Sequence, residues 1–254
     1  MKGVLVTGAG LRIGQAMALA LAADGYFVFV HHNQASQGAR ETVGAIVKAG
    51  GRAKAVRADL ASAKQAEALV GRCKAAGVQL VCLVNNASLF QLDRAPTATA
   101  AGFDRHMAIN LRAPLLLSQA LARQLPEDET GVIVNLLDQK LFNLNPDFLT
   151  YTLSKIGLQG LTTLLAQSFA PRLRVAGIAP GLTLRSGSQT DARFAEQHAA
   201  NPLRVGVTTE DLVRALRFIL ATPTFTGDTL IVASGEHLTG RSRDIAFDKR
   251  KKKS

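Results

Sequence analysis

Short apolar runs alternate along this chain with longer segments rich in alanine and leucine. The short runs carry β-branched residues and end at turn residues, as buried strands do. The longer segments repeat apolar residues at helical spacing. The predicted strands are 2–6, 27–31, 52–57, 80–84, 131–135, 174–178 and 229–232. The predicted helices are 13–24, 36–49, 62–76, 99–123, 151–170 and 209–222.

Strands that are apolar almost throughout and alternate with helices predict an α/β fold. We expect one doubly wound domain over 1–245, with about seven strands in a mainly parallel sheet and helices on both faces. Residues 246–254 are predicted to form a basic, disordered tail. Ligands of such folds bind beyond the carboxyl ends of the strands, so residues that directly follow strands are the candidates for function.

Composition narrows the class of protein. The chain has 254 residues, 47% of them hydrophobic and 19% charged, which suits one domain with a substantial core. No apolar run approaches the roughly 18 residues of a membrane span, and no signal peptide is expected. Two cysteines are too few for a disulfide framework. Adjacent His31 and His32 point to opposite faces of a strand, so no metal site is expected. A cytoplasmic protein without a membrane partner is predicted.

The net charge of +11 is concentrated in part in the last seven residues, which hold five cations and one anion. A solvated terminus and weak binding to nucleic acid or an anionic surface are the two interpretations of this tail. The first is favoured, because no aromatic residue is interleaved with the cations and the body has no nucleic-acid fingerprint. No specific nucleic-acid partner is therefore predicted. The basic body suits an anionic cofactor or substrate.

The first predicted strand runs directly into a glycine-rich turn, TGAGLRIG at positions 7–14, and a helix follows. Glycines in a strand-to-helix turn let the backbone approach a pyrophosphate, which then lies at the helix N-terminus. The alternative is a turn that needs glycine only for a positive φ angle.

Polar residues without a carboxylate follow the second predicted strand: no Asp or Glu occurs between Tyr26 and Arg40. An acid at this point binds the ribose hydroxyls of NAD and would repel a 2′-phosphate, so its absence favours NADP. Asn33, Gln34 and Ser36 are candidates to bond that phosphate, and Arg40 to add positive charge.

Tyr151 and Lys155 lie four residues apart on a predicted helix and therefore share a face. A tyrosine with a pKa of about 10 is a poor acid–base catalyst at neutral pH, and one nearby ammonium supplies roughly the 4 kcal/mol that a shift of about three units requires. We expect Lys155 to lower the pKa of Tyr151. An amphipathic helix with an unrelated tyrosine and lysine is the alternative, so the decision depends on the rest of the chain.

An ordered set of motifs spans about residues 3–240. The motifs are TG at 7–8 with Gly14, DL at 59–60, NNA at 85–87, Asn110, YxxxK at 151–155 and PG at 180–181. In order and spacing this set resembles the short-chain dehydrogenase/reductase family. The resemblance implies a Rossmann-like fold, hydride transfer from a nicotinamide and often a homotetramer.

The resemblance also implies roles for single residues. Asp59 would bond the adenine, and the 85–87 segment would support the cofactor. Pro180 and Gly181 would lie beside the nicotinamide. Asn110 would organise a water that links Lys155 to solvent.

Several positions depart from the family pattern. Asp138 stands where the family has a serine, thirteen residues before the tyrosine, and Arg12 replaces the middle glycine of the turn. Ser88 replaces the glycine after NNA, with Phe90 two residues later. Together with the YxxxK pair, these residues resemble the pteridine reductase subgroup, which includes bacterial dihydromonapterin reductases.

A pterin gives each departure a use. Phe90 is expected to stack on the flat ring against the nicotinamide, and Arg12 to bridge the pyrophosphate and the polar edge of the pterin. Ser88 would bond both ligands, and Asp138 beside Tyr151 would form a proton relay to a ring nitrogen. The alternatives are apolar filler for Phe90, phosphate pairing alone for Arg12 and a loop cap for Asp138.

The sequence therefore predicts an NADPH-dependent reductase of a dihydropterin, of the dihydromonapterin, dihydrobiopterin or dihydrofolate class. The predicted catalytic residues are Asp138, Tyr151, Lys155 and Asn110. The predicted cofactor contacts are Gly8, Arg12, Ile13, His32, Asn33, Gln34, Asp59, Leu60, Asn86, Ala87, Ser88, Tyr151, Lys155, Pro180 and Gly181. The predicted substrate contacts are Arg12, Ser88, Phe90, Asp138 and Tyr151, and the segment 182–204 is expected to be the substrate lid, with Arg185, Ser186 and Gly187 near the substrate.

Two other functions are weighed against this one. A reductase of another carbonyl, such as a β-ketoacyl thioester, is disfavoured unless Asp138 is protonated, because an anionic Asp138 would repel a developing alkoxide. A catalytically silent NADP-binding regulator is disfavoured because it has no need of Tyr151, Lys155 and Asn110 together.

Overall fold

The computed structural model describes residues 1–185 and 189–247. Within them, seven strands form one parallel sheet in the order β3-β2-β1-β4-β5-β6-β7. The strands are β1 (Lys2–Val6), β2 (Phe27–His32), β3 (Arg52–Arg57), β4 (Gln79–Asn85), β5 (Gly131–Leu136), β6 (Leu173–Pro180) and β7 (Thr229–Val232). The predicted Rossmann-like α/β fold is confirmed.

Helices cover both faces of this sheet. They are α1 (Arg12–Ala23), α2 (Ser36–Lys48), α3 (Ala63–Lys74), α4 (Ala100–Met107), α5 (Ala113–Gln124), α6 (Leu149–Phe169), α7 (Asp191–His198) and α8 (Thr209–Ala221). A π-helical turn, Ala108–Arg112, joins α4 to α5. Short 3₁₀ turns occur at Gln139–Phe142, Glu236–Leu238 and Ile245–Phe247. No helix of the described ranges is both long and apolar enough to cross a bilayer.

Alternating residues of each strand supply the two apolar layers of the core. Val4 and Val6 of β1 face one layer, where Met17 of α1 and Leu212 of α8 are also fully buried. Leu5, between the two valines, faces the other layer. Each fully buried side chain of this size stabilises the fold by about 1.5–3 kcal/mol, so the sheet is held firmly between its helices.

The site is positioned by the point where the sheet reverses direction. The chain runs from β1 outward to β2 and β3, and then returns to β4 on the other side of β1. The connections that leave β1 and β4 therefore diverge, and a crevice opens at their carboxyl ends.

Three features differ from the sequence expectations. The predicted helix 99–123 is interrupted by the π turn Ala108–Arg112. Within the predicted lid, α7 forms a helix that the apolar pattern does not indicate. Residues 246 and 247, assigned to a disordered tail, complete the 3₁₀ turn Ile245–Phe247. Residues 248–254, the rest of that tail, lie outside the described residues.

Candidate active site

A cleft of about 1320 Å³ opens at the carboxyl ends of the strands. It is lined by the turn after β1, the segments after β2, β4, β5 and β6, and the first turns of α6. Every residue of the predicted catalytic, cofactor-binding and substrate-binding sets except Asn110 lines this cleft. The predicted lid residue Arg185 is described, whereas Ser186 and Gly187 lie outside the described residues.

The turn after β1 can be built only with glycine at two positions. Gly8 has a φ angle of +64°, and a Cβ at Gly14 would lie 2.4 Å from the carbonyl oxygen of Gly8. The Gly8 N–H donates to Nδ1 of His31 at 3.1 Å, and Nε2 of His31 bonds the Ala58 carbonyl at 3.1 Å. Burial lowers the pKa of His31 to about 4. His31 is therefore a neutral support of the turn.

The segment after β4 is fastened to the same turn by Thr7. Its hydroxyl oxygen accepts from the N–H groups of Asn86 at 2.9 Å and Ala87 at 3.0 Å. The Asn86 amide donates in return to the Thr7 carbonyl at 2.8 Å. These bonds hold the two neighbouring loops at a fixed separation, which explains the TG and NNA motifs.

The far end of the cleft, after β2, presents polar groups without a free acid. Asp59 accepts from the N–H of Ala61 at 3.0 Å and from Nδ2 of Asn33 at 3.3 Å. Nδ1 of His32 is buried and has no partner among the described residues. Gln34 also lines the cleft, as predicted.

Two residues proposed for this end lie elsewhere. Ser36 and Arg40 do not line the cleft, and Arg40 donates instead to Gln37 of its own helix at 2.7 Å. The predicted addition of positive charge by Arg40 stays a prediction.

The residues after β5 and at the start of α6 form a hydrogen-bonded pair, Asp138 and Tyr151, with Lys155 one helical turn further along. The Tyr151 hydroxyl donates to Oδ2 of Asp138 at 2.6 Å. The other carboxylate oxygen accepts from the Lys140 N–H at 2.8 Å, so Asp138 caps the following 3₁₀ turn as well. Nζ of Lys155 donates to the Leu136 carbonyl at 2.6 Å. The relay geometry and the loop cap, which the sequence left as alternatives, are both present.

The pKa values of Asp138, Tyr151 and Lys155 differ from the sequence expectation. Burial and the negative charge of Asp138 raise the pKa of Tyr151 well above its usual value. Burial raises the pKa of Asp138 and lowers the pKa of Lys155 to about 8. The Lys155 ammonium lies 5.8 Å from the centroid of the Tyr151 ring. The prediction that Lys155 lowers the pKa of Tyr151 is therefore wrong for this arrangement, because Asp138 lies closer and acts in the opposite direction.

Aromatic rings form the wall opposite the turn. Phe90 is 48% exposed, so it is not buried filler. Its ring stacks on Phe148, with centroids 4.2 Å apart, and meets the edge of Tyr151 at 4.7 Å. Phe148 precedes α6 with a φ angle of +58°, a conformation that disfavours a bulky residue and is found at functional sites. Phe90 therefore offers exposed aromatic surface next to the Tyr151 ring.

Arg12 contacts the lid across the cleft. It keeps the left-handed backbone of the glycine it replaces, with a φ angle of +58°. Its guanidinium donates to the carbonyl oxygens of Arg185 at 2.7 Å and Leu184 at 3.5 Å. The predicted bridge from Arg12 to a pyrophosphate and a pterin stays a prediction.

Asn110 lies in the π turn, behind the wall of the cleft. Its Oδ1 accepts from the Leu89 N–H at 2.7 Å, and its Nδ2 donates to the Leu89 carbonyl and to Oγ of Ser154, both at 2.9 Å. Both amide N–H bonds are engaged, so Asn110 braces the segment that carries Ser88 and Phe90. Its predicted water link to Lys155 stays a prediction.

Several residues that line the cleft are not predicted from the sequence. They are Phe148, Glu236, Asp244 and Phe247. Glu236 is buried, its Oε2 accepts from the Leu182 N–H at 3.1 Å, and burial raises its pKa. No motif marks these residues. Among the described residues, no three His, Cys, Asp or Glu side chains gather as a metal site.

Comparison with known proteins agrees with this geometry. The family model described as short chain dehydrogenase matches residues 2–197. The chain is 35% identical over 190 residues to an uncharacterised oxidoreductase of Methylorubrum extorquens, covering 74% of this chain and 76% of that protein. It is 29% identical over 240 residues to a 3-oxoacyl-[acyl-carrier-protein] reductase of Synechocystis, covering 91% of this chain and 95% of that protein.

A solved structure is similar over nearly the whole chain. FolM, the alternative dihydrofolate reductase 1 of Brucella suis, in complex with NADP, superimposes with a TM-score of 0.90 at 38% identity. The match covers 93% of this chain and 95% of that chain. Fold, motif order and family match agree: this chain belongs to the short-chain dehydrogenase family of oxidoreductases.

Proposed function

We propose that this protein is an NADPH-dependent reductase that converts a dihydropterin to a tetrahydropterin. The observation that carries the proposal is the 2.6 Å hydrogen bond from Tyr151 to Asp138, next to the open face of Phe90. A phenol that shares its proton with a carboxylate suits protonation of a ring nitrogen, and an exposed aromatic face suits a flat heterocycle. The similarity to an alternative dihydrofolate reductase supports the same substrate class.

The residues of the cleft fit a dinucleotide with a 2′-phosphate. The segment 7–14 leaves no room for a Cβ at Gly14, and α1 begins within it, at Arg12. At the opposite end, the orphaned Nδ1 of His32 and the amides of Asn33 and Gln34 offer polar partners. The one carboxylate nearby, Asp59, already accepts two hydrogen bonds. Structural neighbours from Brucella suis and Burkholderia cenocepacia were crystallised with NADP.

NADPH, when bound, supplies a hydride for the pterin ring. The residues of this chain control the proton. Oη of Tyr151 holds it, and the raised pKa of the Asp138 carboxyl lets that group be protonated and restore the proton to Tyr151. The Lys155 ammonium, held on the Leu136 carbonyl, places positive charge near the phenol as its proton leaves. The braced Leu89 backbone keeps Phe90 in position for the ring.

The second candidate is reduction of a β-ketoacyl thioester, because the Synechocystis relative is named for that reaction. A ketone needs a neutral donor on its oxygen, and the position that would supply it is occupied by Asp138. When ionised, this carboxylate repels a developing alkoxide and also keeps the Tyr151 proton engaged. The geometry therefore favours the pterin.

A substrate panel tests the proposal. We expect the purified protein to consume NADPH faster with a dihydropterin (dihydromonapterin, dihydrobiopterin or dihydrofolate) than with acetoacetyl thioester or simple ketones, and faster with NADPH than with NADH. Faster turnover of the thioester would establish the second candidate. Tight NADPH binding without turnover of any compound would support a regulator.

A further inference from the structure

The segment at residues 243–247, called here the clasp, lies across the substrate end of the cleft. Asp244, Ile245, Ala246 and Phe247 line the same cavity as the catalytic pair Asp138 and Tyr151. No motif predicts this placement, and the sequence pattern assigns Phe247 to a disordered tail.

A buried carboxylate anchors the clasp. Asp147 is 0% exposed, and its oxygens accept from Arg243 at 2.7 and 3.0 Å. Arg94 donates to the same carboxylate at 2.7 Å, and the N–H of Asp244 donates at 3.0 Å. These bonds hold the pKa of Asp147 well below its usual range. A desolvated carboxylate is stable only while such partners remain, so the position of the clasp is tightly fixed.

Aromatic packing joins the clasp to the reacting groups. The guanidinium carbons of Arg94 and Arg243 each lie 5.5 Å from the centroid of the Phe247 ring. This ring stacks on Phe148, with centroids 6.0 Å apart, and Phe148 stacks in turn on Phe90. The clasp therefore continues the aromatic wall that faces the substrate.

Polar contacts connect the clasp to the catalytic carboxylate and to the lid. Nζ of Lys140 donates to Asp244 at 3.1 Å, while the N–H of Lys140 bonds Asp138. On the other side, Arg193 of α7 donates to the Ala246 carbonyl at 2.6 Å, and Gln197 donates to the Ile245 carbonyl at 2.5 Å. The clasp thus bonds both walls of the substrate end.

We propose that the clasp forms the outer wall of the substrate site, that Phe247 is a specificity-determining residue, and that Asp147 is a positioning residue that acts through it. The identity of the substrate rests on the proposed function; the role of the clasp does not. Loss of the clasp opens the substrate end and leaves the glycine turn at 7–14 intact.

Two variants with matched controls test this proposal. For Asp147→Asn and Phe247→Ala we expect the KM for the dihydropterin to rise about ten-fold or more, with kcat reduced less than about three-fold and the Kd for NADPH within about two-fold. Asp24→Asn breaks an exposed pair with Arg217, in which both hydrogen bonds measure 2.9 Å, and Phe218→Ala removes an exposed ring from α8. Neither control residue lines the cleft, so both should keep the wild-type KM.

Truncation and a conservative variant separate positioning from a general loss of structure. A chain that ends at Phe247 should keep the wild-type KM, whereas a chain that ends at Ser242 should reproduce the effect of Asp147→Asn. Phe247→Tyr keeps the ring, so its KM should stay near the wild-type value, in contrast to the raised KM of Phe247→Ala. An unchanged KM in the chain that ends at Ser242, or equal losses of NADPH and substrate binding in Phe247→Ala, would overturn the proposal. If the wild-type protein reduces a ketone and no pterin, the proposed function fails, and the same KM comparison on that ketone still tests the clasp.

Discussion

At the scale of single residues, the pKa of Tyr151 depends on which charged group contacts its hydroxyl. The sequence places Lys155 on the same helix face, and the simple expectation is a more acidic phenol. The structure instead places the Asp138 carboxylate 2.6 Å from the hydroxyl, while Lys155 bonds a backbone carbonyl. The pKa of Tyr151 rises, and in the proposed mechanism the pair serves as a shared proton store. A helical spacing predicts a common face, but not which of several neighbours is closest.

Replacing Asp138 should exchange one substrate class for another. In Asp138→Ser a neutral hydroxyl takes the place of the carboxylate, and the proton store is lost. We expect kcat/KM for the dihydropterin to fall about 100-fold or more, while reduction of a β-ketoacyl thioester rises from the wild-type level. Steady-state NADPH consumption on both substrates checks this, with Asp138→Asn as the control that fits the same space. Unchanged pterin turnover in Asp138→Ser would remove the carboxylate from the mechanism.

The pH profile should report the burial of Lys155. Its pKa is lowered to about 8, so the ammonium is lost as the pH rises through that value. We expect kcat/KM for the dihydropterin to decline above about pH 8, and Lys155→Met to lack this decline at a much lower activity. In this window the unfolded chain binds more protons than the folded one, so the contribution of Lys155 to the free energy of unfolding rises with pH. Activity lost above pH 8 together with retained thermal stability would match the prediction; a constant kcat/KM up to pH 9.5 would contradict it.

At the scale of elements, regular structure follows closely from the sequence. The predicted strands agree with β1–β7 to within two residues at each end, because buried parallel strands read as apolar runs between turns. The sequence does not predict the π turn Ala108–Arg112, because the apolar spacing of the helix continues through it. Its consequence is the position of Asn110, which bonds Leu89 and Ser154.

The residues of the site likewise fall into a group that the sequence predicts and a group that it does not. Residues that directly follow strands, such as Asp59, Asn86, Asp138 and Pro180, line the cleft as predicted, because parallel strands end at one edge. The clasp does not follow from the sequence, since its packing depends on an ion pair between positions 147 and 243, almost a hundred residues apart. Neither periodicity nor local motifs carry information at that separation.

The close packing of Gly14 against the β1 turn gives a prediction, for which Gly44 of α2 is the control. In Gly14→Ala the new Cβ would lie 2.4 Å from the Gly8 carbonyl and 2.5 Å from the Asn86 amide, so the turn must move. We expect the Kd for NADPH to rise more than about ten-fold and the Tm to fall. Gly44→Ala is the matched control: nothing lies within 4 Å of its Cβ, so the helix should gain about 0.5–1 kcal/mol. Isothermal titration and thermal unfolding test both, and equal NADPH binding by both variants would contradict the prediction.

At the scale of the whole molecule, the remaining expectation is assembly. Family resemblance predicts a homotetramer, and several large apolar side chains of α4 and α6 are exposed on one chain: Phe103, Leu153, Ile156 and Leu164. Because α4 packs against α6, these side chains are candidates for one apolar patch, the kind of surface that packs against another chain. We expect light scattering to give about four times the chain mass of 26.9 kDa, and Leu164→Glu to lower it. A mass equal to one chain for the unaltered protein would exclude the tetramer.

The left-handed backbone at Arg12 lowers the stability of the fold at a position whose side chain is predicted to serve catalysis. An arginine at a φ angle of +58° carries a conformational penalty of about 1–2 kcal/mol that glycine would not have. Its guanidinium nevertheless joins the β1 turn to the backbone carbonyls of Leu184 and Arg185, in the segment predicted to be the lid. Arg12→Gly should therefore raise the free energy of unfolding and remove the bonds to Leu184 and Arg185. Directed evolution for heat resistance alone should select this substitution, and the selected variant should have a lower turnover rate.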